Sequence, residues 1–216
     1  MTDDDGSRPR QPRRPKMFGP GELDAQVASG VDPAEVSEIA HETAAVLVGT
    51  GRAADDPQLT RRLVTLVDEL GMATVAELWA GRPAVSLPGA LWRLYAIHES
   101  VRRDAAGAAA DYDTGRLRAH VQHVVAGAAE PPSPETLREL VDAILTGVFD
   151  GDLAVALERA AAFCRIISVG RAYRADAHDG YDEAGASAAT RSAAALRDTA
   201  GDLERAAAAW RAGKLT

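Results

Sequence analysis

The chain has 216 residues, 46% of them hydrophobic, enough for one helical domain with a real core and short for two full domains. Its formal charge is -8, yet residues 1–16 hold five basic side chains against three acids, so a basic arm precedes an acidic body, which is not the footprint of a dedicated DNA-binding domain. One cysteine excludes an intrachain disulfide framework, and the lack of an apolar stretch after the charged N-terminus or a run of 18 apolar residues leads us to expect a soluble, cytoplasmic chain with no secretory signal and no membrane contact.

Residues 1–30 are Pro-rich and Gly-rich with almost nothing to bury and are expected to form a disordered arm. Within it Arg8, Arg10, Arg13, Arg14 and Lys16 could grip phosphates, or could simply solvate a tail. Arginine outnumbers lysine 22 to 2 across the chain, a bias that a GC-rich genome produces. Arginine richness is therefore no evidence of anion binding.

The helical domain is expected over 31–216. Asp32-Pro33 with Glu35 has the spacing of a capping box and opens a helix to about Val48, with Val36, Ile39, Ala40, Val46 and Leu47 inward. Asp56-Pro57 repeats the signal and Gly71 stops that helix. Thr74 with Glu77 marks a third capping box, for a short helix through Trp79 to Gly81. Ser86-Leu87-Pro88 opens a stronger one that places Leu87, Leu91, Leu94, Tyr95, His98 and Val101 at helical spacing and ends near Arg103. The next stretch, DAAGAAADYDTG, is weakly patterned and reads as a loop. Leu117, Val121, Val124 and Val125 suggest a further helix up to Gly127.

Pro131-Pro132-Ser133-Pro134 stops the chain and caps the helix that carries Leu137, Leu140, Val141, Ile144, Leu145 and Val148. Phe149 to Asp152 is a tight turn into the central helix, 152–170, which is apolar around most of its girth. Leu153, Ala156, Leu157, Ala160, Phe163, Cys164 and Ile167 make one stripe, and Val155, Ile166 and Val169 widen it. Ala154, Glu158, Ala161, Arg165 and Ser168 remain as a narrow polar or small-residue strip. In the last helix, about 182–212, Ala189, Ala193, Leu196, Ala200, Leu203, Ala207 and Trp210 alternate by four and three. This alanine seam suits close helix packing, within the chain or between two copies. With no strand-like alternation, the expectation is an all-α fold, a single bundle of seven or eight helices around a central buried helix.

The central helix also carries the main chemical anomaly. If it continues past Gly170, Arg171 and Arg174 share the face of the core stripe, and Arg159 projects from the apolar arc. A guanidinium turned inward is costly unless an anion meets it. Three outcomes are open: a bend at Gly170, ion pairs with acids of a neighbouring helix, or a recognition patch for a carboxylate, phosphate or acidic peptide.

Other constellations fall short of chemistry. His120-x-x-His123 and Glu38-x-x-His41 have the i, i+3 spacing of helical metal ligands, but a di-iron site needs two Glu-x-x-His motifs. His98 lies on an apolar stripe with no nucleophile beside it, so it reads as a core or interface histidine, and Cys164 reads as a buried small hydrophobe. No glycine run fits a phosphate loop. Asp150-Gly151-Asp152 lacks the remaining ligands of a calcium loop, and Val75 to Trp79 offers no base-reading side chain to a helix-turn-helix. We therefore expect no metal, no cofactor and no catalytic residue.

The runs SLPGALWRLYAIHESVRRD (86–104) and PPSPETLRELVDAILTGVFDGDLAVALERAAAFCRIISVGRA (131–172) resemble a family of all-helical proteins of high-GC actinobacteria. That resemblance implies a helical fold and carries no catalytic motif. The expected function is that of a non-enzymatic interaction or regulatory protein. It would engage another protein through Trp79, Trp92 or Trp210 or through the Arg159, Arg171 and Arg174 region, with self-association through the last helix as a further option. A nucleic-acid-associated regulator using the basic arm is one alternative; a small-ligand binder or enzyme with an Arg-lined anion pocket is another.

Overall fold

A computed structural model describes residues 32–49, 71–119, 126–127, 133–150, 152–178 and 182–216. The basic arm, the helix expected after Asp56-Pro57 and most of the one expected over 117–127, with its His120 and His123, lie outside the described residues. Among those described there are seven helices and no strand: α1 (Pro33–Leu47), α2 (Met72–Trp79), α3 (Leu87–Arg103), α4 (Ala105–Arg116), α5 (Pro134–Asp150), α6 (Leu153–His178) and α7 (Glu183–Arg211). None is long and apolar enough to cross a membrane.

Local chemistry starts most of them where the sequence says it should. Asp32 accepts the Ala34 N–H at 2.9 Å, and Ser86 accepts that of Gly89 at 3.2 Å with Pro88 in the first turn. Ser133 and Thr136 cap each other reciprocally, Ser133 N–H donating to Thr136 Oγ1 at 2.7 Å and Thr136 N–H to Ser133 Oγ at 3.2 Å. Each cap satisfies backbone donors that have no partner inside their helix. The Thr74 capping box is not used: α2 begins at Met72 behind Gly71, which takes φ +81° and gives no side-chain cap. Gly81 follows its end at φ +75°, a conformation natural to glycine.

Three expectations need correction. The alanine-rich stretch read as a loop is α4, because alanine has the highest intrinsic helix propensity and Asp104 caps it by accepting the Gly107 N–H at 2.9 Å. Leu117, read as the first apolar position of a further helix, is the exposed C-cap of α4. In α1 the inward face is Ala40, Thr43, Ala44 and Val46, while Ile39 is exposed.

α6 runs unbroken through Gly170, with α3, α4, α5 and α7 packed against it. Leu157, Ala160, Cys164 and Ile166 are fully buried on it. Burial pushes the Cys164 thiol up to about 12, so it stays a neutral, unreactive core group near neutral pH. The periphery of this helix differs from the sequence expectation: Val155 and Val169 are exposed, whereas Ala154, Ala161 and Ser168 are buried. The strip of small residues is thus a contact face and not the solvent edge. Its seven-residue spacing meets the alanine seam of α7, where Ala193, Ala200, Leu203 and Ala207 are buried, and Ser168 donates to the Ala193 carbonyl at 2.7 Å. Small side chains let two backbones approach closely. The seam is therefore filled within the chain, one of the two uses open to it from the sequence.

Charged pairs flank this seam. Arg165 binds Glu204 bidentately at 2.7 and 2.6 Å, and Arg211 binds Glu158 through both guanidinium nitrogens. The hydrogen bonds from Arg165 and Arg211 hold the Glu204 and Glu158 carboxyls below their ordinary value of 4.5. A carboxyl depressed on folding stabilises above its unfolded pKa and loses that contribution as pH falls through its folded value. The midpoint of thermal unfolding should accordingly drop on acidification below about pH 4.5, and a Glu158→Gln/Glu204→Gln double variant should show a flatter profile by circular dichroism. Parallel profiles would contradict this assignment.

A second close contact sets the position of α4. A Cβ on Gly115 would lie 2.0 Å from the Ile166 carbonyl oxygen, and one on Gly170 would lie 1.7 Å from that of Asp111. Only glycine at both points permits this crossing. At the other end of the bundle α1 and α2 pack on α3, and the residues after α7 return to it, Leu215 being buried and the Leu87 N–H donating to the Thr216 oxygen at 2.9 Å.

Candidate functional site: an arginine-lined cavity

The glycine crossing has a chemical consequence. Asp111 lies one helical turn before Gly115 on α4, and Arg171 and Arg174 follow Gly170 on one face of α6, so bringing the glycines together brings these three side chains together. Asp111 is almost fully buried. Its Oδ2 accepts from Arg171 Nε at 2.8 Å and its Oδ1 from Arg174 Nη1 at 2.7 Å. Arg171 Nη1 donates further to Ser192 Oγ of α7 at 2.7 Å, and Arg174 Nη1 approaches the Gly107 carbonyl oxygen at 3.5 Å. Of the three outcomes left open by the sequence, the bend at Gly170 is absent and ion pairing with a neighbouring helix is present.

Ion pairing does not fill the space. These side chains line a cavity of about 610 Å³ between the C-terminal end of α3, the N-terminal turns of α4 and α7, and the C-terminal half of α6. That is within the size range of small-molecule sites, roughly 300–1,000 Å³. Its apolar wall is Ile97 and Val101 of α3, Phe163 and Ile167 of α6 and Leu196 of α7. Phe163 is held from behind by Tyr112, which is fully buried, with ring centroids 5.8 Å apart.

Asp104 and Asp182 also line the cavity, and they are already engaged as the N-caps of α4 and α7, accepting from Gly107 N–H at 2.9 Å and Gly185 N–H at 3.0 Å. Their charge sits on two helix N-termini, whose dipoles it complements. The glycines three residues on are fitted to the caps, since a Cβ at Gly107 or Gly185 would come within 2.2 and 2.1 Å of the capping carboxylate. The polar wall that remains consists of Arg103, Ser100, the Asp111, Arg171 and Arg174 cluster, and Ser192.

The other candidate residues are placed elsewhere. Arg159 is twelve residues before Arg171, about 18 Å along the helix, and its Nε donates to the Ala126 carbonyl at 3.2 Å. It therefore does not join the Arg171 and Arg174 cluster. Trp79, expected as an exposed interface residue, is 2% exposed, with its indole N–H donating to Thr43 Oγ1 at 3.2 Å. It ties α2 to α1 inside the core. Trp92 and Trp210 are half-buried and pack against the core, Trp92 beside Tyr95 at 6.2 Å.

His98 is an interface histidine between α3 and α5: its Nε2 lies 2.7 Å from Asp142 Oδ1 and its Nδ1 3.2 Å from Glu99 Oε1. His41 Nδ1 meets the Ser37 carbonyl at 2.8 Å. Among the described residues no three His, Cys, Asp or Glu side chains converge as a metal site.

Sequence reasoning named Arg171 and Arg174 and missed Asp111, Ser192, Asp104 and Asp182. Two of these had a local signal, the repeated Asp-x-Ala-Gly of 104–107 and 182–185, in which the acid caps and the glycine makes room. Asp111 had none, because its importance depends on a crossing with a helix 60 positions away. No family model, no curated protein and no solved structure matches this chain, so the helical resemblance noted in the sequence gains no support from them and the site must be read from its own chemistry.

Proposed function

We propose that this chain is a non-catalytic binding protein of regulatory type whose helical body takes up a small amphipathic anion. The observation that supports this reading is the 610 Å³ cavity with two guanidinium groups on one wall and Ile97, Val101, Phe163, Ile167 and Leu196 around it. An apolar body would be desolvated against the aliphatic and aromatic wall, and an acidic head would meet Arg171, whose planar fork suits a carboxylate or phosphate oxygen. No nucleophile or general base in the cavity is paired as covalent or acid–base chemistry requires.

Partner recognition through the helical surface has less behind it. Val155, Val169 and Tyr173 are exposed on α6, but they span about 27 Å of helix, and scattered exposed apolar residues are ordinary on a soluble domain. The nucleic-acid reading rests on Arg8, Arg10, Arg13, Arg14 and Lys16, which lie outside the described residues.

The test uses the full chain and anilinonaphthalene sulfonate, an amphipathic anion whose fluorescence rises in an apolar site. Saturable binding at one site is expected. Ala189→Phe, which fills the cavity, should weaken it at least tenfold, a loss of about 1.4 kcal/mol. Ala184→Phe, on an exposed position of the same helix, should leave it unchanged. Equal binding by wild type and Ala189→Phe would remove the cavity as the site.

A further inference from the structure

Resting on that reading, we infer that the ligand lies with its apolar body on the floor of the cavity and its acidic head at the rim, where Arg103 is its charge partner. Ile97, Val101, Phe163 and Ile167 are buried, whereas Ser100, Arg103, Asp104 and Asp182 are exposed. The cavity thus runs from an apolar floor to a polar edge washed by solvent. An amphiphile gives up least hydration when its head stays at that edge.

Net charge does not choose the ligand. The three arginines of the lining are balanced by Asp104, Asp111 and Asp182, so what counts is which of these groups already have partners. Asp104 and Asp182 accept from the N-terminal turns of α4 and α7. Asp111 accepts from both Arg171 and Arg174, and a second Arg171 nitrogen donates to Ser192. These contacts tie α4 to α6 and α7, and a ligand head drawn to either guanidinium has to share it with Asp111. Arg103, the last residue of α3, makes no hydrogen bond or ion pair among the described residues. All five of its N–H donors are open to a ligand. Its neighbour Arg102 supplies the contrast, since it lies 3.5 Å from Asp142 and does not line the cavity.

The experiment compares anilinonaphthalene sulfonate with phenylnaphthylamine, the same aromatic body without the acid or the net charge, by fluorescence titration of the full chain at neutral pH. Arg103→Gln should weaken the sulfonate about fivefold at about 0.01 M salt, the upper range for an exposed ion pair, and leave the neutral probe unchanged. The ratio of wild-type to variant affinity should shrink at about 0.15 M salt, where the screening length falls from about 30 Å to about 8 Å. Arg102→Gln removes the same charge one residue away and should alter neither probe.

An Arg103→Gln protein that binds the sulfonate as wild type does overturns the inference, and so does one that loses both probes equally, the mark of a purely structural role. An equal loss in Arg102→Gln overturns it too, by reducing the effect to overall charge. In each of these cases sulfonate binding that Ala189→Phe still weakens leaves the pocket reading standing. If the sulfonate does not bind wild type at all, the pocket reading fails and this inference with it.

Discussion

Gly170→Ala is expected to destabilise the protein by about 3 kcal/mol, at the upper end of what overpacking costs. In a domain of this size that corresponds to a fall in melting temperature of roughly 10 °C. The added methyl would sit 1.7 Å from the Asp111 carbonyl oxygen and 2.9 Å from the Gly115 nitrogen. Both are backbone atoms, so no side chain can swing aside and α4 must move away from α6. The intrinsic preference of alanine over glycine in a helix, about 1 kcal/mol, offsets only part of this loss.

Gly147→Ala in α5 supplies the control. A Cβ there meets nothing within 4 Å, so the same substitution should stabilise by about 1 kcal/mol. Opposite signs at the two positions, measured by thermal or urea unfolding, would establish the crossing. A neutral Gly170→Ala would disprove it. Because Asp111 is carried on the displaced helix, Gly170→Ala should also weaken anion binding in the cavity, whereas Gly147→Ala should not.

Trp79→Ala should cost about 3–5 kcal/mol, the range for deleting a buried aromatic side chain. Trp79 is 2% exposed and is the largest side chain joining α2 to α1. Its indole N–H donates to Thr43 Oγ1, which itself donates to the Ile39 and Ala40 carbonyls at 2.9 and 3.1 Å. Trp79→Phe keeps most of the apolar bulk and removes the hydrogen bond, and because Thr43 keeps its own acceptors the expected cost is nearer 1 kcal/mol. Trp210→Ala, at a half-buried position near the end of α7, should cost less than Trp79→Ala. The expected readout is urea unfolding of the three variants, with the order Trp79→Ala, then Trp210→Ala and Trp79→Phe. A Trp79→Ala protein as stable as wild type would return this residue to the role of a docking side chain.

Both effects were hard to read from the residues alone, for related reasons. Trp79 sits in a short segment where an amphipathic pattern shows which face is apolar but not what covers it. Gly115 and Gly170 leave no hydrophobic imprint. In a sequence they look like weak points of a helix, and indeed Gly170 invited the idea of a bend. Their value comes from what they allow to approach.

The sequence by itself determined where α1, α3 and α5 start and which broad faces are apolar. Asp32, Ser86 and Ser133 act on backbone donors two or three positions away, and the central helix is apolar around most of its girth whatever its neighbours are. These are local interactions, complete within one or two turns. Only the tertiary structure decided that Ala154, Ala161 and Ser168 are buried while Val155 is wet, that Arg159 stands apart from the other two arginines, and that Asp111 waits between Arg171 and Arg174. Small residues gain their meaning from the backbone they let in, and a carboxylate 60 positions away becomes a partner only through the geometry of a crossing. Such contacts depend on distances between helices, which no periodicity along a single helix encodes.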